Sequence, residues 1–447
     1  MDQFVETEPQ FPWRKFCHKI FAAALDAVNP YKTIINNVSL QNNVLKVSGG
    51  KSFNLKNFRK IFVIGAGKGA FTMASAFEEI LGDNISKGLV ITKTDHGGYL
   101  EHIEVVEGTH PLPSKKNVEC AGRIIEIAKS ADRETLVIFL ISGGASALLP
   151  APIDGICLED KLKVTEILMS CGASIKEINC IRKHLSRVKG GKLLKMLKPA
   201  TTLSIILSDV VGDSLHTIGS GPLISDPSTL NDAIEICRKF EIENQIPPLV
   251  RAYLQQGAES KVEEALSEDD SSTNHVSHVL IGTNTIAITA AAEKASELDF
   301  NVEILSTTFQ GEARELAGFF GALGRHRIND LKKPLLLLGG GETTVSLRGT
   351  GKGGRNQEFA LAMVPLVAQI PSSFAAGFAT DGTDGPTDAA GAWCDSQSLK
   401  SAEQKKLSPA HFLRDNNSYA FFKEMNDLII TGPTGTNVCD IYLLGLH

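Results

Sequence analysis

Three charged residues stand where a small anionic substrate could be handled. Lys68, in Gly65-Ala66-Gly67-Lys68-Gly69, follows the apolar run Lys60-Ile61-Phe62-Val63-Ile64 and opens a helical pattern over 70–81. Arg355, in Gly353-Gly354-Arg355-Asn356-Gln357-Glu358, stands at the start of a helical pattern over 359–369. A cation at a helix start opposes the helix dipole by roughly 0.3–1 kcal/mol unless an anion sits beside it. Both residues therefore read as anion holders, and a guanidinium can grip a carboxylate or phosphate with two prongs. Asp209 follows the buried-strand pattern 203–207 directly. That position suits a catalytic base or a Mg²⁺ partner, and equally a helix cap.

Further loops carry glycine and hydroxyls at strand ends. In Ser142-Gly143-Gly144-Ala145-Ser146, after the run 137–141, small residues allow close backbone approach to an anion and the hydroxyls add donors. The Gly-x-Ser-x-Gly elbow of a hydrolase is absent there. Ser220, in Ile218-Gly219-Ser220-Gly221-Pro222, sits in another such turn. Basic residues crowd the segment 179–192, and Arg182, Ser186 and Lys189 fall at helical spacing on one face. In an acidic chain such a face suits a small polyanion, with a solvated surface as the plainer alternative. Neither Lys189-Gly190-Gly191-Lys192 nor Gly349-Thr350-Gly351-Lys352-Gly353 has the context of a P-loop. The run 65–70 satisfies Gly-x-Gly-x-x-Ala, but the acid expected to bind ribose is poorly placed. Asp95, about 25 residues on, lies beside His96-Gly97-Gly98 rather than at a clean strand end. Glu342, after the glycines 339–341, and Asp381, in Thr380-Asp381-Gly382-Thr383-Asp384-Gly385-Pro386-Thr387-Asp388, are the metal candidates. Asx-turns account for Asp384 and Asp388, and the EF-hand order is missing.

These residues need strands and helices to hold them. The chain has 447 residues, a formal charge of −6 and 43% hydrophobic residues, which argues against disorder and against a basic nucleic-acid binder. No apolar run approaches the ~20 residues of a membrane span. The acidic N-terminus suits neither a secretory signal nor a transit peptide. Eight cysteines without a Cys-x-x-Cys pair point to a reduced, cytoplasmic protein. Continuous apolar runs at 61–64, 88–91, 103–106, 136–141 and 202–207 alternate with helical patterns, among them 117–131 and 159–169. Strands without polar alternation imply a parallel sheet covered on both faces. A charged, core-poor stretch between 258 and 276 reads as a linker, after which the rhythm resumes at 278–281, 285–298, 302–305, 311–323 and 334–338. The expected fold is α/β in two domains. A Rossmann-like, mostly parallel sheet with helices on both faces occupies 1–260, and a smaller α/β domain occupies 275–447.

Taken together, the loops resemble the class II glycerate 2-kinases, built from a DUF4147 and a MOFRL domain. Family-like segments are 65–68, 142–146, 182–186, 189–191, 207–210, 219–222, 340–344, 353–358, 380–388 and 432–440. The resemblance implies phosphorylation of D-glycerate at its 2-hydroxyl, using ATP and Mg²⁺, in a cleft between the two domains. It carries over Lys68, Asp209 and Arg355 as catalytic positions. Lys68 and Arg355 would hold the substrate carboxylate and the migrating phosphoryl group from opposite domains, and Asp209 would orient or deprotonate the hydroxyl. Gly67, Ser142, Gly143, Gly144, Ser146, Arg182, Lys189 and Ser220 would cradle substrate and phosphates, with Glu342 or Asp381 on Mg²⁺. No nucleic-acid or membrane partner is expected, and a homodimer stays open. The rival readings are an NAD(P)H-dependent hydroxypyruvate reductase and a noncatalytic sugar-acid binder.

Overall fold

The computed structural model describes residues 12–258, 265–267, 270–330 and 334–447. The acidic residues 1–8 and parts of the charged stretch (259–264 and 268–269) lie outside these. The chain forms two compact units. One comprises 33–207 and 213–281; the other comprises 12–32, 208–212 and 282–447.

The first unit starts with a three-stranded antiparallel sheet, β1 (Val38–Gln41), β2 (Val44–Val47) and β3 (Lys51–Asn54). Its main sheet contains β4 (Lys60–Ala66), β5 (Lys87–Lys93), β6 (Glu104–Gly108), β7 (Thr135–Ile141), β8 (Thr201–Leu207) and β9 (Val276–Gly282). The spatial order is β6-β5-β4-β7-β8-β9, and the pairings from β6 to β8 are parallel. Counted along this sheet, that is the 3-2-1-4-5-6 order of a doubly wound fold. Every residue of β7 is buried. Successive side chains point to opposite faces, so both faces are covered, as an unbroken apolar run requires. Helices Leu158–Ser170, Ile175–His184, Leu230–Lys239 and Pro248–Ala258 carry a separate core that includes Val164, Leu168, Ile181, Leu230 and Leu254. Three of these helices begin in capping boxes, at Cys157, Ser174 and Thr229.

The second unit has a mixed sheet: β10 (Asn301–Phe309), β11 (Leu335–Gly341), β12 (Ser373–Ala379), β13 (Gly391–Asp395), β14 (Leu428–Ile429) and β15 (Asp440–Leu446). Its order is β10-β11-β15-β12-β13-β14, with β10 and β11 parallel and the other neighbours antiparallel. Helix Arg355–Val367 is buried along most of its length in this core.

The α/β class with a Rossmann-like sheet is borne out. The two units nevertheless differ from a linear division at 260/275. Helix Pro12–Ala27 packs on helix Asn284–Glu297, where its apolar residues Cys17, Ile20, Phe21 and Ala24 lose all contact with water. Trp13 stacks on Phe374 with centroids 5.2 Å apart. The stretch 278–281, expected to open the second domain, lies in β9 and extends the first sheet beside β8. Such an edge strand satisfies its backbone wherever a partner strand is free, whatever the linker suggests. Within the charged stretch, Leu266 is fully buried, and its backbone bonds Gly190 and Asp226. Among the described residues no helix is long and apolar enough to cross a membrane.

Candidate active site

In the first unit the strand order reverses between β4 and β7, the place where open α/β sheets bind ligands. The loops after these two strands are stitched together. Gly67 has φ 142°, and a Cβ there would stand 2.2 Å from Ser142 Oγ. Gly69 N–H donates to Ser142 Oγ at 2.9 Å, and Lys68 N–H donates to the Gly143 carbonyl at 2.8 Å. Ser142 is buried. Gly67, Ser142 and Gly143 thus hold in place Lys68, half-buried ahead of helix Ala70–Leu81.

Lys68 has company that sequence reasoning missed. His110 is pushed down to about 4, by burial first and then by Lys68, Lys93 and His96. His96 is also lowered, by burial, Lys93 and Lys68. A Cβ on Gly144 would meet His110 Nε2 at 2.9 Å, so the imidazole lies against that glycine. These groups follow the ends of β5 and β6, on the same sheet edge as Lys68, and strand-end position was the signal that could have found them. Asp95 lies two residues beyond β5, nearer a strand end than its sequence context suggests.

The basic segment corrects an expectation. Helix Ile175–His184 stops before Ser186 and Lys189, so Arg182, Ser186 and Lys189 do not share a helical face. The chain turns through Gly190 and Gly191, both with positive φ, into helix Lys192–Leu197. Arg182 and Lys189 nevertheless converge on the loop after β7. Arg182 Nη2 donates to Ser146 Oγ at 2.9 Å. Lys189 Nζ donates to Ser146 O and Oγ, each at 2.8 Å, and reaches Ser220 Oγ at 3.4 Å. The Ser146 and Ser220 hydroxyls are 2.8 Å apart. This is no solvated face: Lys183, Lys189 and Lys192 are all buried. Burial, then Arg182, Lys161 and Lys183, hold the Lys189 ammonium far below its usual range, and burial lowers Arg182. The carboxylate paired here, Asp226, is engaged by Lys183 at 3.1 Å.

The second unit holds Arg355, Glu342 and Asp209. Arg355 is the first residue of its helix, as expected, but the protein supplies the anions that offset its charge. Its Nε and Nη2 reach the two carboxylate oxygens of Asp440, and its Nη1 reaches Glu342 Oε1 at 2.8 Å. Burial works against the guanidinium charge, yet Asp440 and Glu342 overcome it and raise the group. Asp440 is fully buried and accepts a further bond from Tyr442 Oη at 3.0 Å, while Tyr442 Oη and Thr343 Oγ1 are 2.8 Å apart. Asn284 Nδ2 donates to the carbonyls of Val438 and Asp440 at 2.8 and 3.0 Å. Gly340 makes room for it, because a Cβ there would stand 1.8 Å from Asn284 Oδ1. Asp209 lies two residues past β8, and its carbonyl accepts from Cys439 Sγ at 3.2 Å. Burial raises Glu342, Arg355 lowers it, and Asp440 and Asp209 raise it further. Two carboxylates, Asp440 and Glu342, thus share one guanidinium, and Asp209 adds negative charge near Glu342. Asp440, Tyr442 and Asn284 went unnoticed in sequence because their role depends on Arg355, far away along the chain.

Two aspartates of 380–388 hold backbone N–H groups. Asp381 Oδ1 accepts from Thr383 N–H at 3.0 Å, an Asx-turn. Asp384 caps the distant helix Arg355–Val367, accepting from the N–H groups of Asn356 and Gln357 at 3.1 and 2.8 Å. Among the described residues no three or more His, Cys, Asp or Glu side chains gather as a ready-made metal cage. Mg²⁺ typically needs only one or two carboxylates besides substrate phosphates and water. The negative excess around Glu342, Asp209 and Asp440 fits such a cation, while Asp381 gives one carboxylate oxygen to its turn. Among the described residues Arg182 and Lys189 meet hydroxyl and carbonyl oxygens rather than carboxylates near Ser146, and so likewise fit a polyanion.

Comparison with known proteins agrees with this architecture. Residues 16–255 match the domain of unknown function DUF4147, and residues 335–440 match the MOFRL family. A glycerate 2-kinase of Pyrococcus horikoshii is 40% identical over 95% of this chain and 95% of its own. A D-glycerate 2-kinase of Thermotoga maritima is 39% identical over 87% of this chain and 91% of its own. The crystal structure of a glycerate kinase from Thermotoga maritima superposes with a TM-score of 0.85 at 36% identity, covering 97% of this chain and 99% of that one. With its Rossmann-order sheet, its DUF4147 and MOFRL segments and relatives along nearly its whole length, the chain belongs to the class II glycerate kinase family.

Proposed function

We propose that this chain is a glycerate 2-kinase that transfers the γ-phosphoryl group of ATP to the 2-hydroxyl of D-glycerate. The observation that carries this reading is the convergence of Arg182 and Lys189 on Ser146 and Ser220, beside the switch point of the sheet. Phosphoryl transfer is mainly positioning and charge stabilisation, which is what such a cationic, water-poor site offers. Ser146, Ser220, Arg182 and Lys189 hold the nucleotide phosphates. Lys68 neutralises the carboxylate or the migrating group. Asp209 takes the proton of the 2-hydroxyl as its oxygen bonds phosphorus, and the bond to the ADP oxygen breaks. Arg355, oriented by Asp440, offsets charge on the transferring group. Glu342, rather than Asp381, is the Mg²⁺ ligand, and the ion when bound neutralises phosphate charge. The cytoplasm is the compartment this reading takes, in keeping with eight unpaired cysteines.

The test is direct. Purified protein is incubated with D-glycerate and Mg·ATP, and separately with hydroxypyruvate and NADH. Glycerate-dependent ADP and 2-phospho-D-glycerate are expected. NADH oxidation without ADP formation would establish the reductase reading instead.

A further inference from the structure

Lys161 lies in helix Leu158–Ser170, and among the described residues its buried Nζ has no hydrogen-bond partner, although the neighbouring lysines are well supplied. Lys189 has the oxygens of Ser146 and Ser220, Lys183 has Asp226, and Lys192 Nζ donates to the carbonyls of Lys183, His184 and Ser186. A buried ammonium without partners costs several kcal/mol, so folds rarely keep one without a use. The charges within electrostatic reach of Lys161 are themselves cations, Arg182, Lys189 and Lys192. Asp226, the carboxylate of this cluster, is taken by Lys183 and also by Ser228. Among the described residues no carboxylate answers Lys161, a lysine that the loop motifs do not include.

We propose that Lys161 is a further binding residue for the phosphoanhydride anion held at Ser146, Arg182 and Lys189, and that it takes up a proton as that anion arrives. The assignment of the site as a phosphate cradle rests on the kinase reading above. Burial, followed by Arg182 and Lys192, brings the Lys161 ammonium down to about 7. An anion entering the cluster reverses that balance and favours the charged form. Above neutral pH, anion binding then consumes protons, and affinity falls as pH rises.

The experiment measures binding of inorganic pyrophosphate by calorimetry at pH 8, in two buffers of different ionisation enthalpy, so that it is independent of turnover. Wild type is expected to bind with net proton uptake. Lys161→Met is expected to bind at least about tenfold more weakly and to take up about one proton fewer. Lys161→Arg, permanently charged, keeps much of the affinity and loses the uptake. Circular dichroism and a melting curve establish that each variant is folded. Unchanged affinity and unchanged proton uptake in folded Lys161→Met would overturn the proposal, and so would a wild type that binds no pyrophosphate. ADP release with glycerate is measured separately. Its absence, with pyrophosphate binding still dependent on Lys161, would sink the kinase reading and leave this anion site standing.

Discussion

Arg355 and Asp440 form a two-pronged ion pair inside the second unit, with Asp440 fully buried and also bonded by Tyr442. Removing one member of such a pair leaves a buried charge without its counterpart. Arg355 keeps Glu342 and is partly exposed, so Asp440→Asn should cost about 1–2 kcal/mol of stability, less than a wholly stranded charge. It should also lower kcat for ADP formation by about 10- to 100-fold, because the guanidinium loses its orientation. Urea unfolding and steady-state kinetics check both, and a variant with wild-type values in each would show that Asp440 does not position Arg355.

Lys68→Ala and Arg355→Ala should each reduce turnover by roughly 10²- to 10³-fold, the usual size of a lost charge-stabilising contact. Lys68→Ala should leave its loop folded, because the backbone bonds of Lys68 and Gly69 hold it, whereas Arg355→Ala also leaves Asp440 buried without its counterpart and should cost about 3 kcal/mol of stability. Near-normal activity in either variant removes that residue from the mechanism.

Asp384 caps helix Arg355–Val367 from across the fold, so Asp384→Ala should lower stability by about 2 kcal/mol, with the helix start left unsatisfied. Burial pushes its carboxyl up to about 6, with Asp440 adding to burial and the bonds from Asn356 and Gln357 opposing it. A folded value above the ordinary one means that the fold favours the neutral carboxyl, so this proton-linked contribution is full below pH ~4 and is lost as pH rises through about 6. Asp384→Asn should flatten the stability curve across that window, which unfolding midpoints at pH 4, 5, 6 and 7 would reveal.

His110 and His184 run the other way. Burial holds each down to about 4, with Lys68 next for His110 and Lys192 next for His184. The unfolded chain binds these protons more readily, so their contribution is complete above about pH 6.5 and is lost as pH falls through 4. His184→Gln should make the acid side of the stability profile shallower. A profile identical to wild type between pH 4 and 6.5 would show that His184 does not titrate there.

Much of this protein was legible along the chain because it follows from local rules. A short continuous apolar run that ends in glycine and is followed by a helical pattern reads as a buried strand turning into a helix. Lys68, Ser146, Asp209 and Arg355 accordingly stand where their strand ends and helix starts put them. The spacing of 179–192 misled for the same reason: it assumed one helix where the chain breaks after His184, and the convergence of Arg182 with Lys189 comes from the turn at Gly190 and Gly191. Packing alone decided that helix Pro12–Ala27 and the segment 208–212 join the unit that holds Arg355. It likewise decided that Asp440 answers Arg355, that Asp384 rather than a neighbour caps its helix, and that Lys161 lies buried among cations. Those relationships join residues tens or hundreds of positions apart. Such pairs form only when apolar faces are covered and buried polar groups find partners, and that balance is struck over the whole fold rather than within any window of sequence.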